Sequence, residues 1–302
     1  MDVRVLNYFL TVAQEESITR AADVLHTTQS NLSRQLSALE DEVGKKLFER
    51  GKRKITLTEE GMFLRKRAAE IVALVERTES ELSDFDAEAT GIAHIGAAET
   101  QSMRLLSEAM LSLRRRFPKL QFDLFSGSTI EVTEMLQKGL LDFGVLVGPV
   151  DMQQYDYVQL TEKDIFGLLM RKDHPLASKA VIHAKDIKGE PVIVSHQQTD
   201  ANVLSGWLGA DVQTLNIVSY FNLITTPAMM VEAGLGCAFS FDGLVHTGEG
   251  SQLCFRPLAP KVEASLFLVW KRYQPFAKPA KLFLEEVRTT LIREREHDRD
   301  AT

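Results

Sequence analysis

The sequence predicts an α/β protein with a small, mostly helical domain at its N-terminus. Residues 3–43 carry apolar side chains at spacings of three and four, which is typical of helices that pack on one another. From residue 92 onward, short apolar runs alternate with helical stretches, which is the pattern of an α/β fold. A long helical stretch lies between the two parts. We therefore expect an N-terminal domain at 1–58, a connecting helix and hinge at 59–90, and a second domain at 91–302.

The composition is that of an ordinary globular protein, with 44% hydrophobic and 25% charged residues. No run approaches the ~20 apolar residues of a membrane helix, and the opening MDVRVLNYF lacks the features of a secretion signal. Two cysteines, Cys237 and Cys254, are too few for a disulfide scaffold. We therefore expect a cytoplasmic protein with no membrane partner.

The charge is divided unevenly along the chain. The net charge is −7, but residues 1–67 carry 12 basic and 10 acidic residues, while the remainder carries 23 basic and 32 acidic. The N-terminal part is therefore +2 and the rest −9. A basic patch matters more for phosphate contact than the mean charge does, so any contact with a nucleic acid is expected at the N-terminal end.

The first helices follow directly from the apolar spacing. Residues 3–15 form an amphipathic helix, and Thr19 is expected to cap a short helix that contains the small Ala21 and Ala22. Thr28 can cap a further helix that runs to about Glu42, before Gly44 ends it.

This further helix has two distinct faces. One is a core stripe formed by Leu32, Leu36, Leu39 and Val43. The other is small, polar and rich in hydrogen-bonding groups, with one cation. Such a face fits a DNA major groove, where Arg binds guanine, Gln binds adenine, and Ser binds base edges or phosphates. The candidate DNA-contacting residues on this helix are Thr28, Gln29, Ser30, Ser33, Arg34 and Ser37.

A hairpin with a basic tip follows. Phe48, Ile55 and Leu57 are its apolar anchors, and Gly51 lies in the turn. A basic hairpin placed after a recognition helix is a wing that meets phosphates, so the pattern predicts a winged helix-turn-helix. The alternative is a pair of ordinary small helices with a solvated face. The candidate phosphate-binding residues are Arg50, Lys52, Arg53 and Lys54.

The segment TRAADVLHTTQSNLSRQLSALEDEVGKKLFER, followed by LTEEG, resembles the LysR-type transcriptional regulators over roughly the first 65 residues. Asn31 departs from the Pro or Ala that is common at its position. The resemblance implies binding to double-stranded promoter DNA as a homodimer, commonly assembled into a homotetramer, with RNA polymerase as a further candidate partner.

Thr58 can cap a helix of about 30 residues that carries a heptad-like apolar seam. Such a narrow stripe favours a coiled-coil homodimer, which would place two recognition helices on a two-fold-related operator. The alternative is that the stripe packs on the chain's own domains. The expected seam residues are Leu64, Ala68, Ile71, Val75 and Leu82, with Thr78 and Phe85 in the same register.

In residues 92–302, strands are predicted at 94–98, 121–125, 143–147, 164–170, 191–195, 215–221, 236–241 and 265–270, in largely parallel sheets. Helices are predicted at 102–117, 129–138, 201–208, 227–233 and 279–296. Ligands bind such folds at the carboxyl ends of strands. Plain helix capping is the alternative role for each polar residue there. The candidate effector-binding residues are Thr100, Gln101, Ser102, Ser128, Thr129, Ser195, His196 and Thr226.

This region resembles the type 2 periplasmic-binding-protein fold of LysR-type effector domains, on LLDFGVLVG, VEAGLGCAFSF and LFLVW. The resemblance implies two α/β lobes, one at about 91–162 with 266–302 and the other at about 163–265. It places an effector near Thr100, Ser128 and the Ser195–His196 loop. GCAFSFD departs from the family's usual Leu-Pro ending. Because the candidate loops carry no Lys or Arg, we expect a small polar or weakly anionic metabolite, and neither a cofactor nor a metal.

Three other functions are alternatives to a DNA-binding regulator that responds to an effector. An enzyme is disfavoured because the chain lacks the nucleophile, metal-binding and phosphate-cradling motifs of common enzyme classes. A redox-responsive regulator would use Cys237 and Cys254, with Arg256 as the nearby cation. A regulator of the same fold that needs no ligand is the third alternative.

Overall fold

The structure is a computed structural model that describes residues 1–50, 54–83, 90–148, 153–196 and 203–300. It divides the chain into two compact units, Met1–Phe85 and Asp86–Thr302. Among the helices of these ranges, none is both long enough and apolar enough to cross a membrane.

The first unit is a helical domain with a small hairpin. Its helices are α1 (Val3–Glu15), α2 (Ile18–Val24), α3 (Gln29–Val43) and α4 (Glu59–Ser83), and its paired strands are β1 (Phe48–Arg50) and β2 (Ile55–Leu57). Apolar side chains from every helix and the fully buried Leu47 form one core. The core stripe of α3 is confirmed at Leu32, Leu36 and Leu39, but Val43 is exposed.

Local capping chemistry sets the ends of these helices. Thr28 and Thr58 accept hydrogen bonds from the backbone N–H groups of Asn31 and Gly61, as predicted. The prediction for α2 is wrong, because Ser17 rather than Thr19 caps it and the helix begins at Ile18. Gly44 ends α3 with a φ of 68°, in the left-handed region that favours glycine.

The expected seam on α4 is wrong at its first positions. Ala68 is fully buried in the core of the first unit, and Leu64 packs against that core. Four of the five exposed large apolar side chains of α4 that the structure describes follow a neighbouring stripe, formed by Phe63, Ile71, Leu74 and Leu82, while Met62 lies off it. Among the described residues, the two stripes share only Ile71 and Leu82, and the predicted Phe85 lies outside these residues. One face of α4 packs on the core of the first unit and a neighbouring face is exposed. Because apolar spacing alone does not distinguish these two faces, the predicted seam contains residues from both.

The second unit alternates strands and helices. Its strands are β3 (Gly91–Ala97), β4 (Leu120–Ser126), β5 (Phe143–Val147), β6 (Tyr155–Arg171), β7 (Ile182–His183), β8 (Pro191–Ser195), β9 (Asn216–Phe221), β10 (Cys237–Phe241), β11 (Leu253–Ala259) and β12 (Glu263–Lys271). Its α-helices are α5 (Met103–Arg116), α6 (Thr129–Gln137), α7 (Val203–Leu208), α8 (Thr225–Glu232) and α9 (Lys278–Asp300).

The sheets are mixed, which corrects the expectation of largely parallel sheets. β3 is parallel to β4 and β5, and β8 is parallel to β9 and β10. β6 and β12, however, are antiparallel to each other and to the neighbours they join. The 17-residue strand β6 pairs with β12 along Tyr155–Ile165 and then with β10 and β11 along Phe166–Arg171. A single strand thus belongs to two sheets.

Each of the two sheets has its own hydrophobic core. The first centres on Phe143, Leu106 and Phe283, and the second on Phe239, Ile182 and Val192. Two separately packed lobes joined by β6 and β12 result, and the carboxyl ends of β3, β5 and β8 reach the cavity described below.

Candidate nucleic-acid interface and ligand cleft

The polar face of α3 is exposed at its N-terminal end. Gln29, Ser30 and Arg34 are exposed, and Thr28 accepts the capping bond from Asn31 while its hydroxyl lies 3.2 Å from that of Ser30. The Arg34 guanidinium donates to the Asn31 side chain over 3.1 Å, which holds it along the helix surface. This end of α3 therefore presents hydrogen-bonding groups to solvent.

Two of the predicted contact residues are less accessible. Ser33 and Ser37 are both half-buried. Ser37 lines a small pocket between α3 and the hairpin, together with Glu40, Lys46 and Ile55. Ser37 thus faces the hairpin side of the helix rather than its outermost ridge.

Glu40 joins α3 to the hairpin, a role that the spacing did not indicate. Its Oε1 accepts hydrogen bonds from the backbone N–H groups of Leu47 at 2.8 Å and Phe48 at 3.2 Å, and its Oε2 accepts from Lys46 Nζ at 2.7 Å. Burial by itself would raise the pKa of Glu40, but these donors outweigh it and hold the pKa below its ordinary value. The carboxylate therefore fixes the start of β1 relative to α3.

The basic hairpin is described only in part. Lys52 and Arg53 lie outside the described residues, as does the side chain of Arg50. Lys54 Nζ lies 3.0 Å from Glu16 Oε2 in an exposed ion pair. Such a pair contributes little to stability, so Lys54 would exchange it for a phosphate at small cost.

In the second unit, a cavity of about 70 Å³ lies where the two lobes meet. Its lining is mostly apolar and aromatic, with a few polar groups. The lining residues are Ala98, Glu99, Gly127, Val147, Gly148, Phe166, Ser195, Phe221, Asn222, Ile224, Phe239, Ser240, Phe241 and Leu244. Of the eight predicted effector-binding residues, only Ser195 is among them.

The predicted effector-binding residues Thr100, Gln101 and Ser102 do not line the cavity. Thr100 is buried and its hydroxyl accepts from the Ser102 N–H, while the Gln101 N–H donates to Asp164 Oδ1 over 3.2 Å. Ser102 is fully buried. The Gln101 side chain packs on Gly243, where an added Cβ would lie 2.5 Å from Nε2. These groups organise the junction between the lobes.

The remaining predicted residues also take other roles. Ser128 caps α6 in a reciprocal arrangement with Glu131, and Thr129 begins that helix. His196 is exposed and stacks on Tyr220 with ring centroids 5.3 Å apart. Thr226 is exposed within the first turn of α8, which begins at Thr225. The alternative role of Thr226, capping this helix, is therefore wrong, because Ile224 stands at the cap position.

Glu99 is the ionisable residue that lines the cavity. Its Oε2 accepts from the Ile224 N–H over 2.6 Å, at the start of α8, so a side chain of the first lobe satisfies a helix end in the second. Burial raises the pKa of the Glu99 carboxyl, and the Ile224 amide only partly opposes it. No local sequence signal indicates this contact, because the two residues are 125 positions apart.

Asp164 lies beside this junction on β6 and is 2% exposed. Burial raises its pKa to about 6, against hydrogen bonds from the Thr100 hydroxyl and the Gln101 amide. Its Oδ2 has no hydrogen-bond partner among the described residues. A carboxyl that is half-satisfied in this way is costly to ionise.

The two cysteines are poorly placed for a disulfide. Both thiols are buried and free. Ala238 pairs with Leu169 and Cys254 with Met170, so Cys237 and Cys254 lie on opposite sides of β6. With ~4.8 Å between neighbouring strands, their Cα atoms are about 10 Å apart, beyond the ~7 Å that a disulfide spans. Burial also raises the pKa of Cys237 to about 12 and raises that of Cys254, which keeps both thiols protonated.

Comparison with known proteins places both units. Residues 3–62 match the family model described as a bacterial regulatory helix-turn-helix protein of the lysR family, and residues 86–292 match the LysR substrate binding domain. The chain is 31% identical over 288 residues to the Hca operon transcriptional activator HcaR of Escherichia coli (strain K12), covering 93% of this chain and 94% of HcaR.

It is also 31% identical to the hydrogen peroxide-inducible genes activator of Dickeya chrysanthemi, over 64% of this chain and 63% of that protein. The crystal structure of full-length CbnR complexed with its target DNA superposes with a TM-score of 0.75 at 18% identity. That match covers 96% of this chain and 100% of CbnR, and at this identity it shows the fold.

Proposed function

The chain belongs to the LysR family of DNA-binding transcriptional regulators, and on this premise we propose that the N-terminal end of α3 reads bases in the major groove of promoter DNA. The exposed row formed by Gln29, Ser30 and Arg34 carries this proposal, because it combines the side chains that bind adenine and guanine edges. Arg50, Lys52, Arg53 and Lys54 supply phosphate contacts from the hairpin. Thr28, Ser33 and Ser37 support the same face of the helix.

Arg34→Ala tests this proposal. If Arg34 reads a base, the variant loses ~1–3 kcal/mol of binding to its operator and discriminates less between operator and random DNA. Arg4→Ala, an exposed arginine on α1, is the matched control and is expected to bind both DNAs as the wild type does. Fluorescence anisotropy on both duplexes measures the difference. Unchanged discrimination in Arg34→Ala would place the reading residues elsewhere.

We propose further that the second unit, at about 91–302, binds a small effector in the cavity between its lobes. The lobes meet at the Glu99–Ile224 hydrogen bond and at the Thr100–Asp164 cluster. An effector shifts the lobes only by binding one arrangement more tightly than the other. The cavity supports this proposal, since it collects apolar and polar groups from both lobes.

We propose that the chain acts on DNA in the cytoplasm as a homodimer that α4 holds together. The support is the exposed apolar stripe of Phe63, Ile71, Leu74 and Leu82. A two-fold dimer presents two α3 helices to one duplex. Assembly into a homotetramer and contact with RNA polymerase belong to the same proposal.

A thiol switch is the second candidate, suggested by the name of the peroxide-responsive relative. The separation and the raised pKa values of Cys237 and Cys254 count against it in this chain. We expect operator binding to be equal before and after treatment with hydrogen peroxide. A change that disappears in Cys254→Ser would favour the thiol switch instead.

A further inference from the structure

The cavity between the lobes is built largely from aromatic rings. Phe166, Phe221, Phe239 and Phe241 line it, and the rings of Phe166 and Phe241 lie 4.3 Å apart. Val147 and Leu244 add aliphatic surface. Such a lining favours a ligand with a flat, apolar body, and because about 70 Å³ is well below the ~300 Å³ of ordinary ligand pockets, the lobes must move apart to admit one.

The described lining of the cavity carries negative charge and no positive charge. Among the described residues that line it, Glu99 is the only ionisable one, so this part of the lining has no Lys or Arg. The positive end of α8, which would otherwise attract an anion, already donates the Ile224 N–H to Glu99.

We propose that the effector is a small organic amine whose cation pairs with Glu99 and whose apolar body lies among the four phenylalanine rings. This inference deepens the proposed effector function and rests on it. The sequence-based expectation is a small polar or weakly anionic metabolite, and the amine replaces its anionic alternative.

Two physical effects favour the cation. The carboxylate of Glu99 is half-buried and has one hydrogen-bond donor, so an ammonium group would restore the solvation that burial removed. The faces of phenylalanine rings attract cations within about 6 Å, which adds to the pairing. A carboxylate in the same place would lose its hydration beside Glu99 and gain no positive partner.

The test uses three probes of one shape in a thermal-shift assay on the full chain. Benzylamine is cationic, benzyl alcohol is neutral and benzoate is anionic, and all three are compared at equal ionic strength. A ligand that binds the folded state raises its apparent melting temperature. We expect a saturable rise with benzylamine, a smaller one with benzyl alcohol and none with benzoate.

Glu99→Gln is the decisive variant, because its amide oxygen still accepts from the Ile224 N–H while its charge is removed. Benzylamine is expected to bind roughly tenfold more weakly or worse, and benzyl alcohol about as before. Glu162→Gln, an exposed glutamate in the same unit, is the matched control and should behave as the wild type does. If Glu99→Gln does not fold, Phe241→Leu removes one ring face and should weaken benzylamine severalfold.

Three outcomes overturn the amine assignment: a larger shift with benzoate, equal shifts with the amine and the alcohol, or no shift with benzylamine. Operator binding by the same preparation separates this failure from failure of the proposed regulator. A chain that binds its operator and ignores benzylamine retains the proposed DNA-binding function and loses the ligand class.

Discussion

Glu40 shows how one side chain positions the hairpin that we propose contacts DNA. Glu40→Ala leaves the buried Leu47 amide and the Phe48 amide without their acceptor, and we expect a loss of about 1–3 kcal/mol of stability. Operator affinity should fall as well, because the hairpin loses its anchor on α3. Thermal unfolding followed by circular dichroism, together with DNA titration, measures both effects.

The contribution of Glu40 to the stability of the first unit depends on pH in a direction that its lowered pKa determines. Since the folded pKa of Glu40 is below the ordinary value, its contribution is complete above the unfolded pKa and is lost as the pH falls through the folded one. The gap in melting temperature between the wild type and Glu40→Ala should therefore narrow in acid. Asp41→Ala, an exposed neighbour, is the control and should show no gap at any pH. A gap that widens in acid would contradict the assignment.

The contribution of Asp164 to stability changes with pH in the opposite direction to that of Glu40. Its folded pKa of about 6 exceeds the ordinary 3.8, so the folded chain holds a proton that the unfolded chain releases. Stability of the second unit should fall as the pH rises from about 4 to 6, by up to about 3 kcal/mol, and then level off. Asp164→Asn should abolish this slope, whereas the exposed Asp156→Asn should retain it.

Tryptophan fluorescence reports the unfolding of the second unit, because Trp207 and Trp270 both belong to it. Urea midpoints measured at pH 4.5 and pH 7 give the slope directly. If the wild type and Asp164→Asn respond equally to pH, the carboxyl is not the group that titrates.

Residue roles were predictable where they depend on near neighbours. Thr28 and Thr58 cap helices as their spacing predicts, because the groups they bind are three positions away. Ile224 at the start of α8 is satisfied by Glu99 from another lobe, and a prediction based on Thr226 and Pro227 misses it. The cavity's phenylalanines were missed for a related reason: an apolar residue in a strand has the same signal whether it packs in a core or lines a ligand site.

At the scale of elements, apolar runs predicted strands well and polar strands poorly. β11 and the first half of β6 were missed because Arg256, Pro257 and Asp156 interrupt their apolar pattern. β11 pairs with the end of β6, and the first half of β6 pairs with β12, so strands distant in sequence set the register of both. Local propensity does not decide it. The mixed direction of the sheets follows from these same crossing strands.

The exposed stripe of α4 leads to a prediction about assembly. Leu74 is 42% exposed beside Phe63 and Leu82, which are 67% and 66% exposed. Leu74→Glu places a charge in the middle of this stripe, and we expect the dimer to dissociate at micromolar concentration. Sedimentation velocity measures the change in mass.

Ala73→Glu adds the same charge to the same helix on a different face, about 100° around the helix axis from Leu74, and should leave the dimer intact. If both variants remain dimeric, the stripe on α4 is not the interface. If both dissociate, the effect is one of helix stability and not of the stripe.

At the scale of the whole molecule, we expect the division of charge to confine nucleic-acid binding to the N-terminal end of the chain. Residues 1–67 carry a net +2 and the remainder carries −9, so the acidic part repels DNA while the basic hairpin attracts it. We therefore expect a protein of net charge −7 to bind a polyanion through a small local patch, and the salt dependence of binding to report on that patch alone.

Arg53→Ala tests this division. Each phosphate contact contributes about −0.9 to the slope of log K against log salt, so the variant should flatten the slope by about one for each hairpin bound. It should weaken operator and random DNA alike, unlike Arg34→Ala, because phosphates carry no sequence information. Arg115→Ala removes an exposed arginine of the second unit and should leave the slope unchanged. A flatter slope in Arg115→Ala would instead bring the acidic unit into contact with DNA, and charge separation along the chain would no longer explain how it binds.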